Sequence, residues 1–267
     1  PLLVFLCGGE APEDGGRLIA AAAAVELLHM ATLVHDDVLD RADLRRGRPT
    51  VVAEGGRAAA TATGDLLFSR AFAELTSTGS ADAVRALSAA SSALVRGELM
   101  QRADAWSDGV TPERYLERCE LKTASLFEAA CRLGALFSGD GAPVDALGRF
   151  GARVGLAFQI LDDVLDVEGP TERTGKPRGA DLLDGTVTLP LILARRRDGA
   201  LVAAELRDED PEVLCERIAA TGALDEAREQ ALGYVDEAKS ALDELELGES
   251  RRTPLDLVAD GVVERYA

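Results

Sequence analysis

The segments VELLHMATLVHDDVLD (25–40) and GLAFQILDDVLD (155–166) both end in the same five residues, DDVLD. In each, an apolar stretch with helical spacing leads into aspartates at positions i, i+1 and i+4, namely Asp36, Asp37 and Asp40, and Asp162, Asp163 and Asp166. These positions share one side of a helix, and three carboxylates there repel one another unless cations hold them. The two clusters therefore predict bound hard cations, with magnesium and phosphate as the natural occupants. A solvated acidic helix surface is the alternative, which the apolar residues before both clusters disfavour.

Composition favours helices and excludes several partners. Aromatic residues make up only 4% of the 267 residues, and no stretch shows sustained alternation typical of strands. A formal charge of −18 argues against a nucleic-acid partner and against an anchor on anionic lipid. The four cysteines lack CxxC spacing, which predicts reduced thiols in a cytoplasmic protein. The apolar run 18–34 contains Glu26 and His29 and predicts a buried helix, so we expect no stable membrane anchor.

The chain reads as successive helices without a break between two cores, which predicts one all-α domain. We expect helices over 16–40, 58–76, 81–102, 111–137, 143–166 and 187–197, with further amphipathic helices to the end. Residues 41–49 and the Gly- and Pro-rich residues 167–185 are predicted loops.

Polar side chains near the first cluster form one helical stripe. On a helical wheel His29, Thr32 and Asp40 lie within about 40° of Asp36, so all four should face one interior space. A histidine satisfied by the protein core is the alternative for His29.

Basic residues follow both clusters. Arg45 and Arg46 come directly after the first, and guanidinium groups bind phosphate well. The alternative is that this pair only neutralises the aspartates. Lys176 follows the second cluster, and Lys122 lies in an otherwise apolar helix, where it needs an anionic partner unless it reaches solvent.

Several ordered motifs resemble the trans-type isoprenyl (polyprenyl) diphosphate synthase family. They are VELLHMATLVHDDVLDRADLRRGRPT (25–50), GDLLFSRAF (64–72), RGELMQ (96–101), YLERCELKTASLFEAAC (115–131), GLAFQILDDVLD (155–166) and TGKPRGADLLDGTVTLP (174–190). The resemblance implies a single-domain, isoprenoid-synthase-type bundle of antiparallel helices around a central cavity. It makes residues 1–267 one polyprenyl synthetase domain, usually found as a homodimer. The implied reaction condenses isopentenyl diphosphate with an allylic diphosphate.

The family's roles transfer residue by residue to this sequence. Asp36, Asp40 and Asp162 would ligate magnesium, with Asp37 beside them and Asp163 and Asp166 acting through water, and about three ions per active site. Arg45, Lys122 and Lys176 would hold the allylic diphosphate, and His29 and Arg46 isopentenyl diphosphate. Thr123 and Gln159 would line the reaction centre.

Two departures from the family matter. Its Gly-Lys-Arg segment would lie just before Pro1, so we expect a preceding segment to be missing from this sequence. Thr186 stands where relatives often carry Lys, and Arg178 is the predicted substitute for that cation.

Product length depends on the floor of the cavity. The chain-length positions Leu28, Ala31 and Thr32 carry no bulky aromatic residue, which predicts a medium- or long-chain product, with geranylgeranyl diphosphate second. Phe68 or Phe72 is the alternative floor. Two other functions are compatible with part of the pattern: a class I terpene cyclase, which generally has one Asp-rich cluster, and a non-catalytic partner subunit, which usually loses aspartates.

Overall fold

The computed structural model describes residues 1–9, 14–45, 47–169, 178–243 and 245–264, and within them the chain is almost entirely helical. The helices are α1 (Leu2–Gly8), α2 (Gly15–Asp40), α3 (Val51–Thr76), α4 (Ala81–Asp104), α5 (Pro112–Cys119), α6 (Ser125–Leu136), α7 (Val144–Glu168), α8 (Ala180–Leu183), α9 (Leu189–Arg195), α10 (Ala203–Leu206), α11 (Pro211–Ala220), α12 (Ala223–Asp243) and α13 (Glu249–Glu264). A π-helical turn, Glu120–Ala124, joins α5 to α6. The all-α prediction is confirmed.

Helix starts follow local capping chemistry. The Asp14 carboxylate accepts hydrogen bonds from the first backbone N–H groups of α2, and Thr50 and Ser80 cap α3 and α4 in the same way. Thr111 caps α5 with Pro112 in the first turn, as its sequence predicts.

Apart from shifts of one or two residues at helix ends, three predicted segments differ from the structure. Helix α3 begins at Val51 and bends at Gly56, where φ is +75°, so the predicted start at residue 58 marks only its part beyond the bend. The predicted loop 41–49 contains a short antiparallel pair of strands, β1 (Leu44–Arg45) and β2 (Arg48–Pro49). The predicted loop 167–185 is shortened because α7 continues to Glu168 and α8 forms within it.

Two groups of buried side chains hold the helices together. The larger surrounds α7, whose Phe150, Val154 and Ile160 are completely buried. The smaller joins α2, α3, α4 and α6 through residues such as Leu28 and Leu75. Helix α7 packs on α6 and α12, and α2 packs on α3, so the ends of α2 and α7 that carry the aspartates face a common space.

By length and composition alone α2 could cross a membrane, with a mean hydropathy of 1.7 over 18 residues. It contacts α3 and α6, contributes Leu28 to the core and ends in aspartates. These are the properties of a helix in a protein core, and such a helix also meets the criteria of length and composition for a membrane span.

Candidate active site

Four of the six clustered aspartates line one cavity. This polar cavity has a volume of about 420 Å³ and lies between the C-terminal parts of α2 and α7. Its lining includes both acidic and basic side chains: Asp36, Asp40, Asp162, Asp163, Arg45, Arg102, Arg118 and Lys122. The structure therefore brings the two DDVLD segments together, as the sequence predicts.

A second, apolar cavity of about 530 Å³ joins the polar one. Asp36, Lys122, Thr123 and Gln159 line both, and Phe68, Ser91, Leu94, Leu126, Phe127 and Phe158 are among the side chains that continue the apolar cavity. A charged compartment that opens into an apolar one suits an amphiphilic ligand, with its anionic head among the cations and its hydrocarbon tail among the apolar side chains.

The second aspartate of each cluster is buried. Asp37 is 5% exposed, and its Oδ1 accepts a hydrogen bond from Arg45 Nε at 2.7 Å. Asp163 is 4% exposed, whereas its neighbour Asp162 is exposed. Asp166 does not line the polar cavity; its Oδ2 accepts a hydrogen bond from the backbone N–H of Asp181, at the start of α8, at 3.1 Å.

Asp36 has an unusual acidity. Burial raises its pKa from 3.8 to about 6, because desolvation penalises the charged carboxylate. The Lys122 ammonium opposes this effect, while Glu98 and Asp40 add to it. A carboxylate at this energetic cost is stabilised by a cation, which fits a role as metal ligand.

Lys122 is held by side chains of α4. Its Nζ lies 2.6 Å from Glu98 Oε2 and donates to Gln101 Oε1 at 3.2 Å. The other oxygen of Glu98 binds Arg102 Nε at 2.8 Å, and Arg102 Nη2 binds Asp40 Oδ1 at 2.9 Å. One chain of ion pairs thus runs from the lysine to the first aspartate cluster.

Glycines on two helices allow the backbone of the π-helical turn Glu120–Ala124 to come close. A Cβ on Gly97 of α4 would lie 2.6 Å from the backbone N of Lys122, and one on Gly155 of α7 would lie 2.7 Å from Cα of Ala124. Such contacts are closer than real Cβ atoms tolerate, so only glycine fits. Single π-helical turns are rare and frequently occur at functional sites.

A second hydrogen-bond network lies below the polar cavity. Tyr115 Oη donates to Asp163 Oδ2 and Gln159 Nε2 donates to Asp163 Oδ1, both at 2.7 Å. Thr123 Oγ1 donates to Gln159 Oε1 at 2.6 Å. Burial, with repulsion from Asp181, raises the pKa of Asp163 well above its usual range. Because the Thr123 proton points to Gln159, its oxygen lone pairs are left for the cavity.

The remaining predicted residues divide between the two cavities and the core. His29 and Thr32 line the apolar cavity, and Thr32 Oγ1 donates to the His29 carbonyl at 2.8 Å. Leu28 and Ala31 are completely buried and are not among the residues that line either cavity. Arg46 and Lys176 lie outside the described residues.

Several residues that contact the site were not singled out from the sequence. Glu98 and Gln101 belong to the quoted motif RGELMQ but were given no role. Tyr115 and Arg118 precede Lys122 by seven and four positions, so helical spacing to Lys122 was the signal that could have identified them.

The oxygen donors fit a divalent cation. Within the described residues, no three His, Cys, Asp or Glu side chains stand close enough to form a metal cage. Magnesium does not need one, because it keeps several waters and binds through one or two carboxylates plus substrate phosphates. Asp36, Asp40 and Asp162, which face the same cavity, match that donor set.

An all-α bundle with paired aspartate clusters above an apolar cavity defines an isoprenoid-handling class of enzyme. The family description "Polyprenyl synthetase" matches residues 1–216. The chain belongs to this family.

Similar proteins agree with the fold and the reaction. Heptaprenyl diphosphate synthase component 2 of Geobacillus stearothermophilus is 40% identical over 96% of this chain and 82% of its own length. Geranylgeranyl diphosphate synthase of Methanosarcina mazei is 36% identical over 92% of this chain and 78% of its own. The crystal structure of a polyprenyl synthase from Caulobacter crescentus, complexed with calcium and isoprenyl diphosphate, is 38% identical. The two structures superpose with a TM-score of 0.90, and the match covers 100% of this chain and 83% of the Caulobacter chain.

The chain is therefore a prenyltransferase that makes a polyprenyl diphosphate, and its family uses a divalent metal ion. The terpene-cyclase and non-catalytic alternatives are not supported.

Proposed function

We propose that this enzyme makes a medium- or long-chain trans-polyprenyl diphosphate from isopentenyl diphosphate and an allylic diphosphate, with geranylgeranyl diphosphate as the second candidate. The observation that carries the proposal is the junction of the two cavities at Asp36, Lys122, Thr123 and Gln159. A chain growing from that junction would extend along the apolar cavity. Thr32 is small where it lines that cavity and leaves room for elongation.

Magnesium is the proposed metal, with three ions per active site when substrate is bound. Asp36, Asp40 and Asp162 would hold the ions, and Asp166 would act through water. When bound, magnesium supplies positive charge that stabilises the departing diphosphate.

Different basic side chains are assigned to the two substrate diphosphates. Lys122 and Arg45 hold the allylic diphosphate from the walls of the polar cavity, and Lys176 is proposed to join them. His29 and Arg46 are assigned to isopentenyl diphosphate.

The protein's own groups stabilise the allylic carbocation. The lone pairs of Thr123 and the amide of Gln159 present fixed dipoles at the junction, where they need no reorganisation during the reaction. The apolar side chains of the cavity offer no hydrogen bonds to water that would quench the cation. Asp163 is assigned a positioning role, because both its oxygens already accept hydrogen bonds and one of them orients Gln159.

A homodimer is proposed because one wall of the apolar cavity is open. Val95 and Leu99 line this cavity yet are 54% and 63% exposed, and Leu66 of neighbouring α3 is 62% exposed. A second chain over this face would bury the apolar surface and exclude water from the cavity. The name "component 2" of the Geobacillus relative raises a different protein as the alternative partner.

The molar mass of the protein, measured by light scattering during size-exclusion chromatography, tests the dimer. Leu99→Asp should convert a dimer to monomer, whereas Leu257→Asp, at a 65% exposed position of α13, should leave it intact. A monomeric wild-type protein that becomes active only with a second protein would favour a two-component enzyme.

A cytoplasmic location is proposed on the thiols. Cys7, Cys119, Cys131 and Cys215 are all free and buried, a pattern suited to a reducing compartment. Detection of the enzyme in the soluble fraction of its own cells would test this, and its recovery outside the cytoplasm would contradict it.

Product sizing tests the proposed function. The purified enzyme is incubated with isopentenyl diphosphate and each allylic primer in turn, with magnesium or with EDTA, and dephosphorylated products are sized by mass. Products beyond geranylgeranyl that require magnesium are expected. A limit at geranylgeranyl or below contradicts the long-chain assignment, and elongation in EDTA contradicts the role of the metal.

A further inference from the structure

Arg118 is a buried arginine with an incomplete set of partners. It lies on α5, is 3% exposed and lines the polar cavity. Its Nη2 donates to the Val187 carbonyl at 2.7 Å, and its guanidinium stacks over the Tyr115 ring at 5.2 Å. Its Nη1 is buried and has no hydrogen-bond partner among the residues that the structure describes. These two contacts fix the guanidinium and leave Nη1 without an acceptor.

A donor in this position calls for an anion. A guanidinium stays protonated in proteins, and a buried charged N–H without an acceptor is costly. Asp163 is a nearby carboxylate whose pKa Arg118 lowers, but its oxygens already accept from Tyr115 and Gln159. Nη1 has no acceptor among the described residues, and a ligand of the cavity can supply one.

The position of Arg118 also explains the missing lysine at residue 186. Thr186 lines the same cavity and directly precedes Val187, the residue that anchors Arg118. Arg178, the substitute predicted from the sequence, does not line this cavity, and its Nε donates to the Val167 carbonyl at 2.6 Å. Among the residues that the structure describes, Arg118 is thus the cation beside residue 186.

We propose that Arg118 binds the diphosphate of the allylic substrate through Nη1 and replaces the family's lysine at position 186. The proposal rests on the proposed function. It adds a binding residue from α5 to the diphosphate site.

Kinetics and binding test this role together. R118Q should raise the KM for the allylic diphosphate roughly tenfold or more, as expected for loss of a charged hydrogen bond, with little change in the KM for isopentenyl diphosphate. Titration calorimetry with inorganic diphosphate and magnesium should show a similar loss of affinity. R118K should lose less than R118Q. Adding T186K to R118Q should restore the allylic KM, because the lysine returns the cation to the same side of the cavity.

The matched control is R149Q, which removes an exposed arginine charge of α7 from outside both cavities. An allylic KM that rises no more in R118Q than in R149Q, in an active wild-type enzyme, overturns the role of Arg118. A wild-type enzyme that neither binds diphosphate nor elongates a primer overturns the proposed function instead. A crystal structure of the wild type with magnesium and diphosphate needs no variant to fold. Nη1 should lie within hydrogen-bond distance of a diphosphate oxygen, and diphosphate bound without this contact overturns the proposal.

Discussion

Replacing Asp36 with Asn should stabilise the protein at neutral pH while removing its activity. The pKa of Asp36 is raised from 3.8 to about 6, chiefly by desolvation. At 1.36 kcal/mol per pKa unit, this difference corresponds to up to about 3 kcal/mol of destabilisation once the carboxylate is ionised. A neutral asparagine of nearly the same shape escapes that cost.

The pH dependence gives the sign of the effect. Between pH 3.8 and about 6 the Asp36 carboxyl is protonated in a larger fraction of folded molecules than of unfolded ones. Stability from this group is therefore fully present below pH 3.8 and is lost as the pH rises through about 6. The advantage of D36N should appear across that interval and reach its full size at higher pH.

Thermal unfolding in EDTA measures this difference. For a chain of this size about 3 kcal/mol corresponds to roughly 6–12 °C in Tm. Asp236→Asn, on the exposed face of α12, removes the same formal charge and is the control. Its Tm should be close to that of the wild type. The reasoning is refuted if D36N is no more stable than wild type at pH 8, or if its advantage is equally large at pH 4.

Two further pairs of substitutions test the packing of the site. Gly97→Ala should destabilise the fold by about 1–3 kcal/mol and lower kcat, because its Cβ would lie 2.6 Å from the Lys122 backbone. Gly233→Ala, with open space around it, should instead stabilise the fold by about 0.5–1 kcal/mol. Equal effects of the two substitutions in denaturant titrations would contradict this difference. Thr32→Phe should shorten the product as measured by mass, because Thr32 lines the apolar cavity. Ala31→Phe should mainly destabilise the core, because Ala31 is completely buried. A shorter product from A31F alone would contradict this assignment.

Periodicity within single helices predicted which of these side chains share one face. The stripe through His29, Thr32, Asp36 and Asp40 faces the two cavities, as the helical wheel indicates. Both aspartate clusters end long helices that meet at one cavity. Such predictions succeed because the relative directions of side chains on one helix depend only on its local geometry.

Relations between helices could not be predicted in this way. Nothing in a DDVLD segment distinguishes its first aspartate from its second, yet Asp37 and Asp163 are the buried members. Their environments are set by Arg45 from the following strand and by Tyr115 from another helix. Similarly, Ala31 shares α2 with Thr32, but Ala31 is completely buried and does not line the apolar cavity.

The charge balance of the polar cavity explains why metal should control substrate binding. Arg45 is paired with Asp37, Lys122 with Glu98, and Arg102 with both Glu98 and Asp40. A diphosphate must compete with these acids for the basic side chains while it approaches further aspartates. Divalent cations remove this conflict, because they attract the carboxylates and the phosphate oxygens together. Arg118 differs from these three paired cations because its Nη1 has no acceptor within the described chain, so it can add a diphosphate contact without breaking an ion pair.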